Sequence, residues 1–250
     1  MPGDGALDER LRRAAALVFV DDLAAPEPDD EAVHHLRDVL RLRAGESVAV
    51  SDGRGSWRTC LWRGTTHRGD RGALETAGPL CAAVAPAVPV TVGFALQKGD
   101  RPDWTVQKLT ECGVDAIVPL LTARTVVRLD AAGRRRRGDR LRRIAREAAA
   151  QARRTVLPAV SDPLPLDACP QLAEGAPHPA AFAEPGGGPL GTTRTLFVGP
   201  EGGWTPEELA AASGHVDLGP FVLRAETAAL VAGVLLARAR DGFTETASAE

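Results

Sequence analysis

Leu196-Phe197-Val198-Gly199-Pro200-Glu201-Gly202-Gly203-Trp204-Thr205-Pro206-Glu207-Glu208-Leu209 is the most informative stretch of this 250-residue chain. Its first residues close an apolar run, Thr195–Val198, of the kind a strand buried on both faces requires. Thr205 fits a helix N-cap, Pro206 the first helical position, and Glu208, three residues after Thr205, the other half of a capping box. Between strand and helix lie Gly199, Gly202 and Gly203, which permit tight turns and close approach of a ligand to the main chain. Open α/β sheets bind ligands at such places, outside the carboxyl ends of their strands. The loop has no GxGxxG pattern, and Glu201 would oppose a phosphate, so a ligand with a purine and a ribose but no phosphate suits it better. Taken alone, an ordinary strand-to-helix turn accounts for the stretch equally well.

The surrounding sequence has the same grammar. Downstream, Val216-Asp217-Leu218-Gly219-Pro220-Phe221-Val222-Leu223-Arg224-Ala225-Glu226 reads as a short strand and a turn, leading into a helix from about Thr227 to Arg240. Glu226 near that helix start suits the helix dipole. Upstream, Val90–Ala95 and Ala116–Leu121 are strands, and Asp103–Cys112 is a helix stopped by Gly113. Asp139–Arg154 is a helix with an apolar stripe of Leu141, Ile144, Ala145, Ala148 and Ala152. Strands alternating with helices predict an α/β unit with a mostly parallel sheet. Residues 171–191, rich in Gly, Pro and Ala, carry little signal. The first 80 residues differ: strands at Ala15–Val20, Ser47–Val50, Trp57–Trp62 and Ala73–Ala77, and one amphipathic helix at Asp29–Val39, suggest a small β-barrel. The three prolines of Pro79–Pro89 mark a linker, giving domains at 1–78 and 86–250.

Composition sets the class. At 44% hydrophobic and 25% charged residues the chain can bury a core and is neither collagenous nor disordered. No run approaches the length of a membrane span, and the amino terminus lacks an export signal, so a cytoplasmic protein is expected. Cys60, Cys81, Cys112 and Cys169 form no CxxC pair, and the adjacent His34 and His35 cannot share a helix face; free thiols and no metal site are expected. The net charge of −3 is uneven. Residues 124–154 hold 12 Arg against 3 acids, whereas residues 155–250 hold 4 Arg against 12. A segment of net +9, including Arg134-Arg135-Arg136-Arg137, has the footprint of a polyanion-facing surface, because crowded arginines repel unless an anion uses them. The alternative is a solvated basic face.

These residues resemble the RsmE family, the SPOUT-superfamily methyltransferases that modify N3 of uridine 1498 in 16S rRNA. The resemblance rests on GPEGGW at Gly199–Trp204 with Thr205-Pro206-Glu207-Glu208, and on LGPFVLRAETAAL at Leu218–Leu230. It extends to His35-Leu36 with Val39-Leu40-Arg41, to Lys98-Gly99 with Gln107-Lys108 and Thr110–Val114, and to Gln151, Arg154 and Pro158. Four positions depart from the family pattern: Cys112, Ala150, Phe221 and Ala225 stand where leucine, glutamate, a basic or small residue, and threonine are usual.

The resemblance implies a PUA-like small β-barrel followed by a SPOUT α/β domain with a trefoil knot. It also implies a homodimer through the knot, and 16S rRNA of the small ribosomal subunit as partner. S-adenosyl-L-methionine would bind at Leu196, Val198, Gly199, Pro200, Glu201, Gly202, Gly203, Leu218, Gly219, Leu223, Thr227 and Ala228. Arg224 and Glu226 would be catalytic, the first stabilising an anionic uracil and the second accepting a proton or orienting the loop. RNA contacts are expected at Arg37, Arg41, Lys98, Lys108, Arg134, Arg135, Arg136, Arg137, Gln151 and Arg154. Two other readings remain open: a SPOUT enzyme with a different target, such as a ribose 2′-hydroxyl of transfer RNA, and a non-catalytic ribosome-assembly factor.

Overall fold

The computed structural model describes residues 8–64, 72–83, 86 and 88–247, and the chain divides into two units. In the first, a short helix, α1 (Glu9–Arg13), precedes β1 (Ala16–Phe19), α2 (Asp30–His34), β2 (Ser47–Ser51), β3 (Ser56–Trp62), β4 (Leu74–Thr76) and β5 (Cys81–Ala82). The strands form one sheet in the order β1-β2-β3-β4, with β5 also on β3; β1 and β2 are parallel and the other pairs antiparallel. Alternation puts Val18, Val48 and Val50 into one core with Leu36 and Trp62, and Leu17, Phe19 and Ala49 into another with Leu11 and Trp57. The helix expected over Asp29–Val39 splits: α2, capped by the Asp29 carboxylate on the Ala32 N–H (2.8 Å), gives way to a π-turn at His35–Val39. Leu80–Ala82, expected in the linker, is ordered because β5 pairs with β3 and the Ala83 N–H reaches Gly55 O (2.8 Å). Residues 84, 85 and 87 of that linker lie outside the described residues.

Ala149–Leu157 also belong to this first unit, although the expected second domain ran unbroken from residue 86. Arg153, at φ 58°, donates to the carbonyls of Ala14 and Ala15, both at 2.9 Å. Ser51 Oγ and the Gly55 N–H both donate to Thr155 O, and the Leu157 N–H donates to Gly53 O. These main-chain partners lie about a hundred residues away in sequence, so no local pattern could announce them.

The second unit carries β6 (Thr91–Ala95), α3 (Arg101–Glu111), β7 (Ala116–Leu121), α4 (Ala131–Gln151), β8 (Ala159–Val160), β9 (Leu164–Pro165), β10 (Ala180–Gly188), β11 (Thr195–Val198), α5 (Pro206–Ala210), β12 (His215–Val216) and α6 (Ala225–Ala247). Its seven strands are all parallel, in the order β12-β10-β11-β6-β7-β8 with β9 also on β7. Both faces are covered, as a parallel sheet requires. Leu109 of α3, Leu141 and Ala145 of α4, and Ala229 and Leu236 of α6 pack with Val92, Ile117 and Leu196 on one face; Leu166, Cys169, Phe182, Phe197 and Trp204 pack on the other. Among the described residues no helix is long and apolar enough to cross a membrane.

Two elements correct the sequence reading. The helix placed at Asp139–Arg154 begins eight residues earlier, where Asp130 caps it by accepting from the Gly133 N–H (2.7 Å), and stops at Gln151, leaving Ala152 exposed. Residues 180–188, in the stretch that carried little signal, form the strand β10 between β11 and β12. Alanine and glycine have low strand propensity, and here two neighbouring strands override it.

Candidate active site

The carboxyl ends of β10 and β11 and the turns beyond them enclose a cavity of about 360 Å³. Three segments line it: Ala183–Pro185 from β10, Val198–Trp204 at the end of β11 and beyond it, and, between β12 and the first turn of α6, Asp217–Gly219, Phe221–Leu223, Ala225 and Ala228. The Gly-rich loop is built as its sequence suggested. Thr205 Oγ1 accepts from the Glu208 N–H (3.2 Å), and Glu208 Oε2 accepts from the Thr205 N–H (2.9 Å). Gly203, at φ 72°, closes a turn onto Pro200 O (2.8 Å). Trp204 forms the floor: the residue is 5% exposed, and its ring stacks on Phe182 at 4.2 Å between centroids and donates Nε1–H to Ala183 O at 3.2 Å. Arg124, in the loop after β7, donates to Gly202 O (2.6 Å) and Trp204 O (3.1 Å), while the Ala123 N–H reaches Glu208 Oε1 (2.8 Å). A guanidinium thus gathers the loop's carbonyls from outside the pocket.

On another wall, Asp217 accepts from the Gly219 N–H (2.8 Å) and the Gly186 N–H (3.0 Å), tying its own turn to β10; those donors hold its carboxyl below the usual range. At the rim, Glu226 of α6 accepts from Gln97 Nε2 (3.0 Å), and the same amide donates to Glu201 Oε1 (3.3 Å). Arg101 Nη1 donates to Glu201 Oε1 at 3.0 Å and its Nε lies 3.9 Å from Glu226 Oε1. Partial burial pushes the Glu226 carboxyl up, but its own N–H at the helix start, the Gln97 amide and the charges of Arg101 and Arg224 outweigh burial and hold it below the usual range. Glu226 is therefore a carboxylate at neutral pH. Arg224 is exposed, and its carbonyl accepts the first N–H bond of α6, from Ala228 (2.8 Å).

Of the residues expected to hold a cofactor, Val198, Gly199, Pro200, Glu201, Gly202, Gly203, Leu218, Gly219, Leu223 and Ala228 line the cavity. Leu196 does not, because it is fully buried in the sheet core, and Thr227 is not among the lining residues. Sequence reasoning missed Ala183, Glu184 and Pro185, because β10 was not recognised as a strand. It also missed Gln97, Arg101 and Arg124, which follow β6 and β7; the rule that ligands sit beyond strand carboxyl ends would have pointed to both loops.

The expected RNA contacts scatter. Lys98 is exposed beside Gln97, whereas Lys108 pairs with Glu111 at 2.7 Å. Arg37 pairs with Asp38 (2.7 Å), and it, Arg41, Gln151 and Arg154 belong to the first unit. The inference that the Arg-rich helix needs an external anion is corrected in part. Arg137 lies 3.6 Å from Asp103, Arg140 donates to the same carboxylate, and Arg142 pairs with Asp139 (2.7 Å) and Asp162 (2.9 Å). Arg134, Arg135 and Arg136 have no acid within ion-pair distance among the described residues.

The sequence matches the family described as RNA methyltransferase domain over residues 85–237, and the RNA methyltransferase PUA domain over residues 28–61. It is 35% identical to a ribosomal RNA small subunit methyltransferase E of Mycobacterium bovis, covering 90% of this chain and 93% of that one. The protein of that name from Bacillus subtilis is 30% identical over 81% of this chain and 85% of its own. The crystal structure of a ribosomal RNA small subunit methyltransferase E from Neisseria gonorrhoeae, bound to S-adenosyl methionine, superposes with a TM-score of 0.75 at 28% identity, covering 88% of this chain and 95% of that one. With a mixed α/β architecture, a PUA-like region and relatives of one kind along most of its length, the chain belongs to the family of ribosomal RNA small subunit methyltransferases E.

Proposed function

We propose that the chain transfers a methyl group from S-adenosyl-L-methionine to N3 of uridine 1498 in 16S rRNA of the small ribosomal subunit. The cavity lining carries this reading. At about 360 Å³ it falls in the range of small-molecule sites. Its walls combine main chain at two glycine turns, apolar Val198, Leu218 and Leu223, and the carboxylates of Glu184, Glu201 and Asp217, with no lysine or arginine among the described lining residues. Such a wall suits an adenosine that carries a sulfonium and an ammonium, and it repels a nucleotide phosphate.

Main-chain groups at Gly199, Gly202, Gly203, Leu218 and Gly219 would hold that donor, with Leu223 and Ala228 against its apolar surface. S-adenosylmethionine, when bound, supplies an electrophilic methyl group on a sulfonium. The chain must aim that methyl, hold the unstacked base in line with it and favour loss of the N3 proton. Glu226 is a poor general base, because its carboxyl is held below the usual range while the proton sits on a far weaker acid. Arg224, exposed between the lining residues Leu223 and Ala225, is assigned to stabilise the uracil anion, and Glu226 to keep the rim in place. The first unit, read as a PUA-like barrel, and Arg134–Arg136 would bind the RNA. The turns at 199–203 and 217–223 are read as parts of a trefoil knot. Val222 (94% exposed), Phe221 (80% exposed), Val234 and Leu235 favour a homodimer packed against that knot. A cytoplasmic location goes with this substrate.

Labelled donor incubated with small-subunit particles and with free rRNA, followed by nucleoside mass spectrometry and mapping, tests the proposal. N3-methyluridine at one site is the expected product; a ribose-methylated nucleoside, or no methyl transfer, would refute it. Arg224→Ala should lower turnover about tenfold or more with donor affinity nearly intact; normal turnover removes Arg224 from the mechanism.

A further inference from the structure

Gln97 follows β6 and is 7% exposed, although glutamine is mostly an exposed residue in folded proteins. Its Oε1 is buried without a hydrogen-bond partner among the described residues, which is costly for an acceptor. The other end of the amide explains its presence. Nε2 donates to two carboxylates from different pocket segments, Glu201 of the Gly-rich loop (3.3 Å) and Glu226 of α6 (3.0 Å). Reversing the amide would set its oxygen against both acids, so the carboxylates fix its orientation. Arg101 seconds the arrangement, donating to Glu201 at 3.0 Å with Nε 3.9 Å from Glu226, but from a side chain that is half exposed. Take the amide away and two carboxylates face each other with no buried donor between them.

We propose that Gln97 is a positioning residue of the donor site, a latch whose two amide protons hold the Gly-rich loop to the start of α6 and so keep the cavity in binding shape. It acts through Glu201 and Glu226 and has no contact with the transferred methyl. The inference rests on the reading that the cavity takes S-adenosylmethionine.

The test is donor affinity by calorimetry on the full chain, alongside thermal melts that exclude misfolding. Gln97→Met keeps the volume and removes the donors, and should weaken binding about tenfold. Two readouts separate a latch from mere packing. Glu226→Gln in the Gln97→Met background removes one of the two facing charges and supplies a new amide for Glu201, so it should restore most of the lost affinity. Lowering the pH from 8 towards 5 should also narrow the gap between Gln97→Met and wild type, since Glu226, facing Glu201 without the amide that holds its carboxyl down, takes up a proton more readily. Arg101 faces both carboxylates, and the charge of Arg224 acts on Glu226. Unchanged affinity in Gln97→Met, or a loss that neither the second substitution nor low pH recovers, overturns the latch. Failure of the wild-type chain to bind the donor overturns instead the reading on which it rests.

Discussion

Replacing Gly199 by alanine tests how the pocket is held. A Cβ at residue 199 would lie 2.9 Å from Trp204 Cε2, 3.1 Å from Nε1 and 3.2 Å from Cδ2. Ordinary contact begins near 3.4 Å, so the loop or the indole must yield by about half an ångström. The indole cannot simply swing away, because it is buried, stacked on Phe182 and bonded to Ala183 O. Overpacking of this kind costs about 1–3 kcal/mol, and tilting the ring forfeits a hydrogen bond worth about 1 kcal/mol. A total near 2–4 kcal/mol corresponds to a fall in Tm of about 4–15 °C in a chain of this size. If the loop moves instead, its main chain leaves the donor and affinity drops about tenfold, which is about 1.4 kcal/mol. Gly202→Ala is the control, since its Cβ would meet nothing nearer than Arg124 Cδ at 3.5 Å and its backbone is not left-handed. Differential scanning calorimetry and donor titration on both variants give the readout. A Gly199→Ala protein that melts within a degree of wild type and binds the donor normally would refute the claim that Trp204 sets the loop.

Arg124→Met removes a cation that serves two loop carbonyls, at 2.6 and 3.1 Å. Donor affinity should fall about tenfold by calorimetry, with kcat at saturating donor much less affected. Neutralising Arg134, Arg135 and Arg136 together should reduce the slope of log affinity against log salt by about 2 if those side chains meet phosphates, whereas Arg140→Gln, which leaves Asp103 to Arg137, should change it little. Glu226 is depressed in the folded chain, so its contribution to stability is present above the ordinary carboxylate pKa and is lost as pH falls through its lower folded value. Turnover should therefore show no Glu226-dependent limb between about pH 6 and 9, and a break there that vanishes in Glu226→Gln would contradict the assignment.

How far the sequence carried these conclusions depends on the distance over which each feature is encoded. The capping box at Thr205–Glu208, the strands Ala116–Leu121 and Thr195–Val198 and the helix stop at Gly113 are written within four or five residues, and the structure has them where periodicity and capping put them. The pocket turns at 199–203 and 217–223 were legible for the same reason, since a glycine or an Asx turn is a local event. β10 was not legible. Ala-Ala-Phe-Ala-Glu-Pro-Gly-Gly-Gly has neither alternation nor β-branched residues, and only its place between β11 and β12 makes it a strand.

The errors at the site share one cause. Arg134–Arg137 and Arg140–Arg143 looked like an unneutralised patch because charge was counted along the chain. In the fold Asp103, 34 residues before Arg137, and Asp162, 20 after Arg142, are brought to the same surface. The same blindness hid Gln97, Arg101 and Arg124. No spacing in the sequence says that the residues after β6 and β7 will stand beside a loop about 80 to 100 positions later, yet the parallel order β11-β6-β7 makes it unavoidable, because adjacent parallel strands end side by side. A site on a parallel sheet is thus only half written in the loops that touch the ligand. The other half lies in the loops of the neighbouring strands, which set the shape and charge of the first, and a substitution there can disable the pocket without altering one lining residue.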